Sequence, residues 1–336
     1  MVIAANAAVG KPWAHHATGI LAGLMAGSVF LFGIFDLTVP GSVHNPPAVD
    51  FAIMATGLIA AALASKPVRE RTARVIPIDP DSPVHSLAMV LAVILVGTQL
   101  ASLAFTNVLA AEQALPPLSI GDLLAQEAPF LVIALAGVGL WVRRDTAATA
   151  QRLGLVRPAW WQVVLALAAA GAFYAVAQGF EQLSQALSPT LAQQVNRTSG
   201  HVFGGLTASV AGIVLLGVIP GVCEEVLFRG ALQPRFGLVV TAVLFAAIHA
   251  EYGLSIDLIS IFVIALGLGL IRKYTNTSAS GTTHVAYNVL IGINLSGLAL
   301  AAGAVVEVAL VLVVIYAVWS MRRRHAEAVV ETTRVS

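Results

Sequence analysis

Long apolar runs alternate with short polar or basic stretches along the whole chain, and the length of the runs identifies them. A helix that crosses a bilayer needs about 20 predominantly apolar residues. By that measure spans are predicted near 17–37, 48–65, 86–107, 126–142, 159–179, 204–223, 236–250, 254–271, 280–299 and 301–320. The fold class is therefore all-α: a polytopic transmembrane helix bundle of about ten spans, within a range of eight to ten. The first run, about Ala17 to Phe35, exceeds a signal-peptide core and reads as a retained helix. Leu183, Leu187 and Leu191 repeat at helical spacing around Pro189, which fits either an interfacial amphipathic helix or a polar loop. The stretch "VIPIDPDSPVHS" reads as a turn-forming linker.

Composition agrees with the pattern. Of 336 residues 58% are hydrophobic and 10% charged, against roughly 25% charged in soluble domains. The net charge of +1 and the absence of a basic stripe give no reason to expect nucleic acid. With a single cysteine, Cys223, no internal disulfide and no Cys-x-x-Cys site can form. In apolar surroundings that thiol is expected to be inert.

Charge placement says more than charge sum. Lys66, Arg69, Arg71 and Arg74 follow the second span, and Arg143, Arg144, Arg152 and Arg157 the fourth. Arg229 and Arg235 follow the sixth, Arg272 and Lys273 the eighth, and Arg322 to Arg324 the tenth. The alternate loops at 38–47, 108–125 and 251–253 carry no Lys or Arg, and Arg197 alone departs from the pattern. The positive-inside rule then predicts a multi-pass protein of the cell membrane with both termini cytoplasmic. Residues 1–142 form an N-terminal transmembrane region with no evident chemistry. Residues 143–158 are a basic cytoplasmic linker, 159–320 a core that includes the last span, and 321–336 a cytoplasmic tail.

Candidate chemistry gathers in the C-terminal half, where ionisable groups interrupt apolar segments and mark a functional site by default. In "GVCEEVLFRG" Glu225 and Arg229 stand four apart, share a helix face and can pair, while Glu224 points about 100° away. That geometry divides labour between a structural carboxylate and a free one; a surface ion pair at a helix end would read the same. In "FAAIHA" Phe245 and His249 stand four apart, and His249 could equally be a hydrogen-bonded packing residue. In "HVAYN" His284 and Asn288 lie side by side, as oxyanion donors or as polar glue between helices. The predicted spans leave His249 at the opposite end of its helix from Glu224 and His284. Either the sixth helix runs on past Arg229, or the seventh is short and starts inside the bilayer. Asp257 and Glu307 are intramembrane acids with no evident partner. Trp160, Trp161 and Trp319 fit an aromatic belt.

Taken in order, Glu224-Glu225-x-x-x-Arg229, Phe245-x-x-x-His249 and His284-x-x-x-Asn288 resemble the CAAX-protease and bacteriocin-processing family of intramembrane endopeptidases, over about residues 159–300. The resemblance implies a membrane protease that opens toward the cytoplasm and cleaves lipidated or otherwise membrane-anchored peptides. Glu224 would be the catalytic glutamate, His249 its water-positioning partner, and His284 with Asn288 the oxyanion side, supported by Glu225, Arg229 and Phe245. Two schemes fit these residues. In one, Glu224 activates water without a metal. In the other, Glu224, His249 and His284 bind zinc. The pairing of Asn288 with His284 favours the metal-free form. The rival function is an ion- or proton-coupled transporter, which also uses intramembrane carboxylates and histidines.

Overall fold

The computed structural model describes residues 1–11, 13–39 and 45–335. Its helices are α1 (Val2–Ala7), α2 (Ala14–Thr38), α3 (Pro47–Ala64), α4 (Lys66–Thr72), α5 (Pro83–Phe105), α6 (Val108–Ala114), α7 (Ile120–Val138), α8 (Thr146–Leu153), α9 (Trp160–Leu187), α10 (Pro189–Thr207), α11 (Val210–Glu225), α12 (Gln233–Ala247), α13 (Ile256–Tyr274), α14 (Thr277–Ile293) and α15 (Gly297–Val335). A π-helical turn, Val226–Leu232, joins α11 to α12, and a 3-10 turn, Ala250–Tyr252, follows α12. Among the described residues there is no β-strand. Residues 40–44 of the expected 38–47 loop, Ser336 of the tail, and the side chains of Arg322 and Arg324 lie outside the described set.

Seven helical segments among the described residues are long and apolar enough to cross a membrane: His16–Thr38, Pro47–Ala64, Pro83–Phe105, Ile120–Val138, Trp160–Leu187, Val210–Ala247 and Gly297–Met321. The protein is thus an all-α, multi-pass membrane protein. The difference from ten runs has local causes. The eighth run became α13, whose 19 residues include Asp257, Arg272 and Lys273. The ninth became α14, with 17 residues. The sixth and seventh runs merged into Val210–Ala247.

That merged segment is not straight. Gly237 breaks it with φ 79° and ψ 174°, a conformation open to glycine and costly for residues with a Cβ. On one straight helix residues 228 and 245 would stand roughly 25 Å apart. Instead the rings of Phe228 and Phe245 meet edge to face at 5.3 Å. The chain therefore doubles back at Gly237, and the short arm 238–247 returns alongside the π-turn. The helix of the sixth run continues past Arg229, and the arm after Gly237 is short, which removes the difficulty over His249.

Segments from both halves share one core, in which Ile78, Met89, Ala134 and Val138 join Leu153, Phe228, Phe236 and Phe245. Leu153, inside the expected linker, is fully buried. The segment around Pro189 is helical on both sides, with Pro189 opening α10, where its missing N–H costs nothing. α14 lies close against α11 because Gly221 has no side chain: a Cβ there would stand 3.0 Å from the Val285 backbone nitrogen. This approach sets the distance from His284 to the two glutamates.

Candidate active site

Glu224 and Glu225 end α11 side by side and are both buried, at 4% and 1% exposure. Their surroundings differ. Glu225 Oε1 forms an ion pair with Arg229 Nη1 at 3.1 Å and accepts a hydrogen bond from His284 Nδ1 at 3.2 Å. Its other oxygen accepts from the Ser280 hydroxyl. Arg229 donates from Nη2 to the Ala265 carbonyl at 3.2 Å and stacks its guanidinium 4.2 Å above the Phe245 ring. A buried ion pair needs such further contacts to offset the loss of water. Both ends of this one have them.

Glu224 has no such company. Its Oε2 is buried without a hydrogen-bond partner and lies 3.8 Å from His284 Nε2, beyond hydrogen-bond range. His284, buried on the early part of α14, stands between the two carboxylates with one nitrogen toward each. His249 caps the 3-10 turn just past α12. Its Nδ1 lies 2.8 Å from the Phe245 carbonyl and donates to it, which leaves Nε2 free. The Phe245 ring lies 4.8 Å from the His249 ring and 5.7 Å from the His284 ring, so it spaces the two imidazoles. Asn288 follows one turn after His284 on α14 and is half-buried. Among the described residues no three His, Cys, Asp or Glu side chains converge as a metal-holding group.

The expected residues thus fall into two tiers. Glu225, Arg229, Phe245, His249 and His284 are linked by direct contacts, and Glu224 lies beside them with one oxygen unpartnered. The structure adds two residues that the motifs do not contain. Ser280, one turn before His284, completes the hydrogen bonding of Glu225. Glu127 on α7 is 7% exposed, interacts through its carboxyl with that of Glu224, and has its own Oε2 buried and unpartnered. In "LLAQEAPFLV" it is a lone acid that the fourth run, predicted to begin at 126, leaves at its edge. α7 in fact begins at Ile120, which carries Glu127 into the bundle. The signal was present: an acid before Pro129 in an otherwise apolar stretch.

Other singled-out residues lie elsewhere. Asp257 has a partner after all, since the Ser184 hydroxyl donates to its Oδ2 at 3.0 Å. The Glu307 carboxyl fills the space that a side chain at Gly171 would take. Cys223 is a free, buried thiol.

Residues 206–290, which hold all three motifs, match the family model for Rce1-like proteins, described as type II CAAX prenyl endopeptidase. That is the family grouping the motifs resemble. The chain is also 39% identical over 79 residues to a Bacillus subtilis (strain 168) protein described as "Uncharacterized protein YpbD". That match covers 23% of this chain and 41% of the relative, so the chain spans less than half of the relative's length. No solved structure matches.

Proposed function

We propose that the protein is an intramembrane endopeptidase that hydrolyses a peptide bond in a membrane-anchored or lipidated substrate, with Glu224 as its base. The observation that carries this reading is the contrast between neighbouring glutamates. Glu225 is saturated by Arg229, His284 and Ser280, whereas Glu224 keeps a buried oxygen without a hydrogen-bond partner. The Rce1-like match over 206–290 supports peptidase over carrier. The arginine-rich side of the bundle is read as cytoplasmic, with both termini there and with α13, α14 and the return arm after Gly237 bringing the count to about ten crossings of the cell membrane.

Glu224 takes a proton from a water that His249 positions through its free Nε2, and the resulting hydroxide adds to the scissile carbonyl. His284 gives Nδ1–H to Glu225, which holds its ring beside the Asn288 amide on the side where the oxyanion forms. Glu225 plays the part of an orienting carboxylate that fixes the imidazole. Glu224 then returns its proton to the leaving amine as the tetrahedral intermediate collapses.

The donor types also suit zinc. Each imidazole has Nδ1 tied to a carbonyl or carboxylate, the outer contact usual for ligating histidines, and both Nε2 atoms with Glu224 would supply a two-His, one-carboxylate set if they drew together, which they do not in this structure. Bound there, zinc would supply an activated water. The test is cleavage of a membrane-peptide library by purified protein, alongside elemental analysis. Glu224→Gln keeps shape and removes the base, so turnover should fall at least about 10²-fold with the thermal midpoint unchanged. A Glu224→Gln protein that cleaves like the parent would sink the proposal. Stoichiometric zinc with chelator-sensitive turnover would assign Glu224, His249 and His284 as ligands.

A further inference from the structure

A cavity lies behind the site. About 440 Å³ in volume, it runs between α9, α11 and α14, and its walls include Leu155, Leu167, Val222, Val226, Val285 and Ala286. Two hydroxyls on the wall are already engaged: Thr277 donates to the Leu153 carbonyl and Thr282 to the Ser278 carbonyl. Glu225 also borders it, with both oxygens bound as described. Apart from Ser278, what remains is an apolar lining. Leu167 and Val222 are 41% and 44% exposed, on segments long and apolar enough to cross the membrane, so the groove opens on the lipid-facing surface.

Arginines stand beside one end of the groove, next to its wall. Leu155 and Thr277 line that end, and next to them Gly154 turns the chain with φ 72°. The Arg272 guanidinium and the Thr277 hydroxyl close over Gly154, each 3.0 Å from where a Cβ would stand. Arg272 is half-buried with its Nε unpartnered. Arg152, half-buried two residues before Gly154, donates to the Gly230 carbonyl at 3.0 Å. The largest charges acting on it are those of Arg235, Arg144, Arg272 and Arg143. Burial first, and those arginines next, pull its pKa down to about 10. The positive-inside rule accounts for arginines on this side of the bundle. It does not require them to be gathered and half-buried at the mouth of an apolar groove.

We propose that the groove between α9, α11 and α14 binds an anionic phospholipid, with an acyl chain against Leu167, Val222 and Ala286 and the phosphate at Arg152 and Arg272. The two halves of the site call for one amphiphile: basic pockets between helices at the membrane surface hold anionic head groups, and the groove continues from the arginines into hydrocarbon. A free phosphate would satisfy the arginines and leave the groove unfilled. Because Val222 and Val226 flank Glu224 and Glu225 on the same helical segment, the bound chain braces that segment from behind.

The experiment uses the full chain, purified and delipidated in mild detergent. Binding and thermal midpoint are followed with phosphatidylglycerol, with phosphatidylcholine of the same chains, and with inorganic phosphate. Phosphatidylglycerol alone should bind tightly and raise the midpoint. The Arg152→Gln/Arg272→Gln protein should bind it roughly 30-fold more weakly, since each basic residue near the surface contributes about 1 kcal/mol. Ala286→Phe, which fills the groove and leaves the arginines in place, should also lose binding, while Arg71→Gln on exposed α4 should not. Equal binding of the two lipids, equal protection by phosphate, or an Arg71→Gln loss matching that of the double variant would each overturn the assignment.

Discussion

Replacing Glu225 by Gln isolates the contribution of the buried pair to the fold. The side chain keeps its volume, but Arg229, at 1% exposure, loses the carboxylate 3.1 Å away and retains the Ala265 carbonyl, the Phe245 ring and the charge of neighbouring Glu224. Removing one partner of a buried ion pair costs about 3–5 kcal/mol, because the other charge is left uncompensated. One of two further contacts fails as well. The new amide can accept at one atom only, so it cannot serve Ser280 on one side and His284 with Arg229 on the other. At 3 kcal/mol the ratio of folded to unfolded protein falls roughly 150-fold, with 1.4 kcal/mol per tenfold. Partnering the change with Arg229→Met removes the stranded charge, so the double variant should be more stable than Glu225→Gln alone. The assay is thermal unfolding of the parent, both single variants and the double in one detergent, read as a double-mutant cycle. Additive effects of the two changes, or single variants as stable as the parent, would refute the claim that the pair acts as a buried unit.

Two further outcomes follow from the geometry. Glu127→Leu removes the neighbour of Glu224 and should lower turnover about 10- to 100-fold, the scale of a lost hydrogen bond to a charged group. Glu127→Gln, which can still donate, should keep most of it, and equal rates in both variants would make Glu127 a bystander. In a Cys223→Ala background, a cysteine at Asn45 should react with an external impermeant thiol reagent and one at Thr146 should be shielded. The opposite labelling would reverse the orientation.

The local chemistry was legible in the sequence because helical spacing is rigid. Glu225 and Arg229 had to share a face, as did Phe245 and His249, and both couplings are present. What the sequence hid was contact across helices and reversal within one. Glu127 reaches Glu224 from a different helix, and spacing along the chain carries no information about that neighbour. Gly237 is one of 29 glycines, and nothing in "PRFGLVV" marks it as the residue with positive φ. A smooth apolar run on either side of it reads as two independent spans. Asp257 looked unpartnered for a similar reason, since Ser184 lies on another helix.

The reversal at Gly237 also bears on how the site is made during synthesis. The arm 238–247 is far shorter than the roughly 20 apolar residues that let a segment settle in a bilayer alone. It must therefore enter as the second limb of a hairpin whose first limb already carries Glu224. Glu224 and His249 thus arrive together, in one covalent unit, before α14 emerges with His284. A side chain at position 237 that resists positive φ would strike this insertion step first, and would show as loss of protein from the membrane rather than as a slow enzyme.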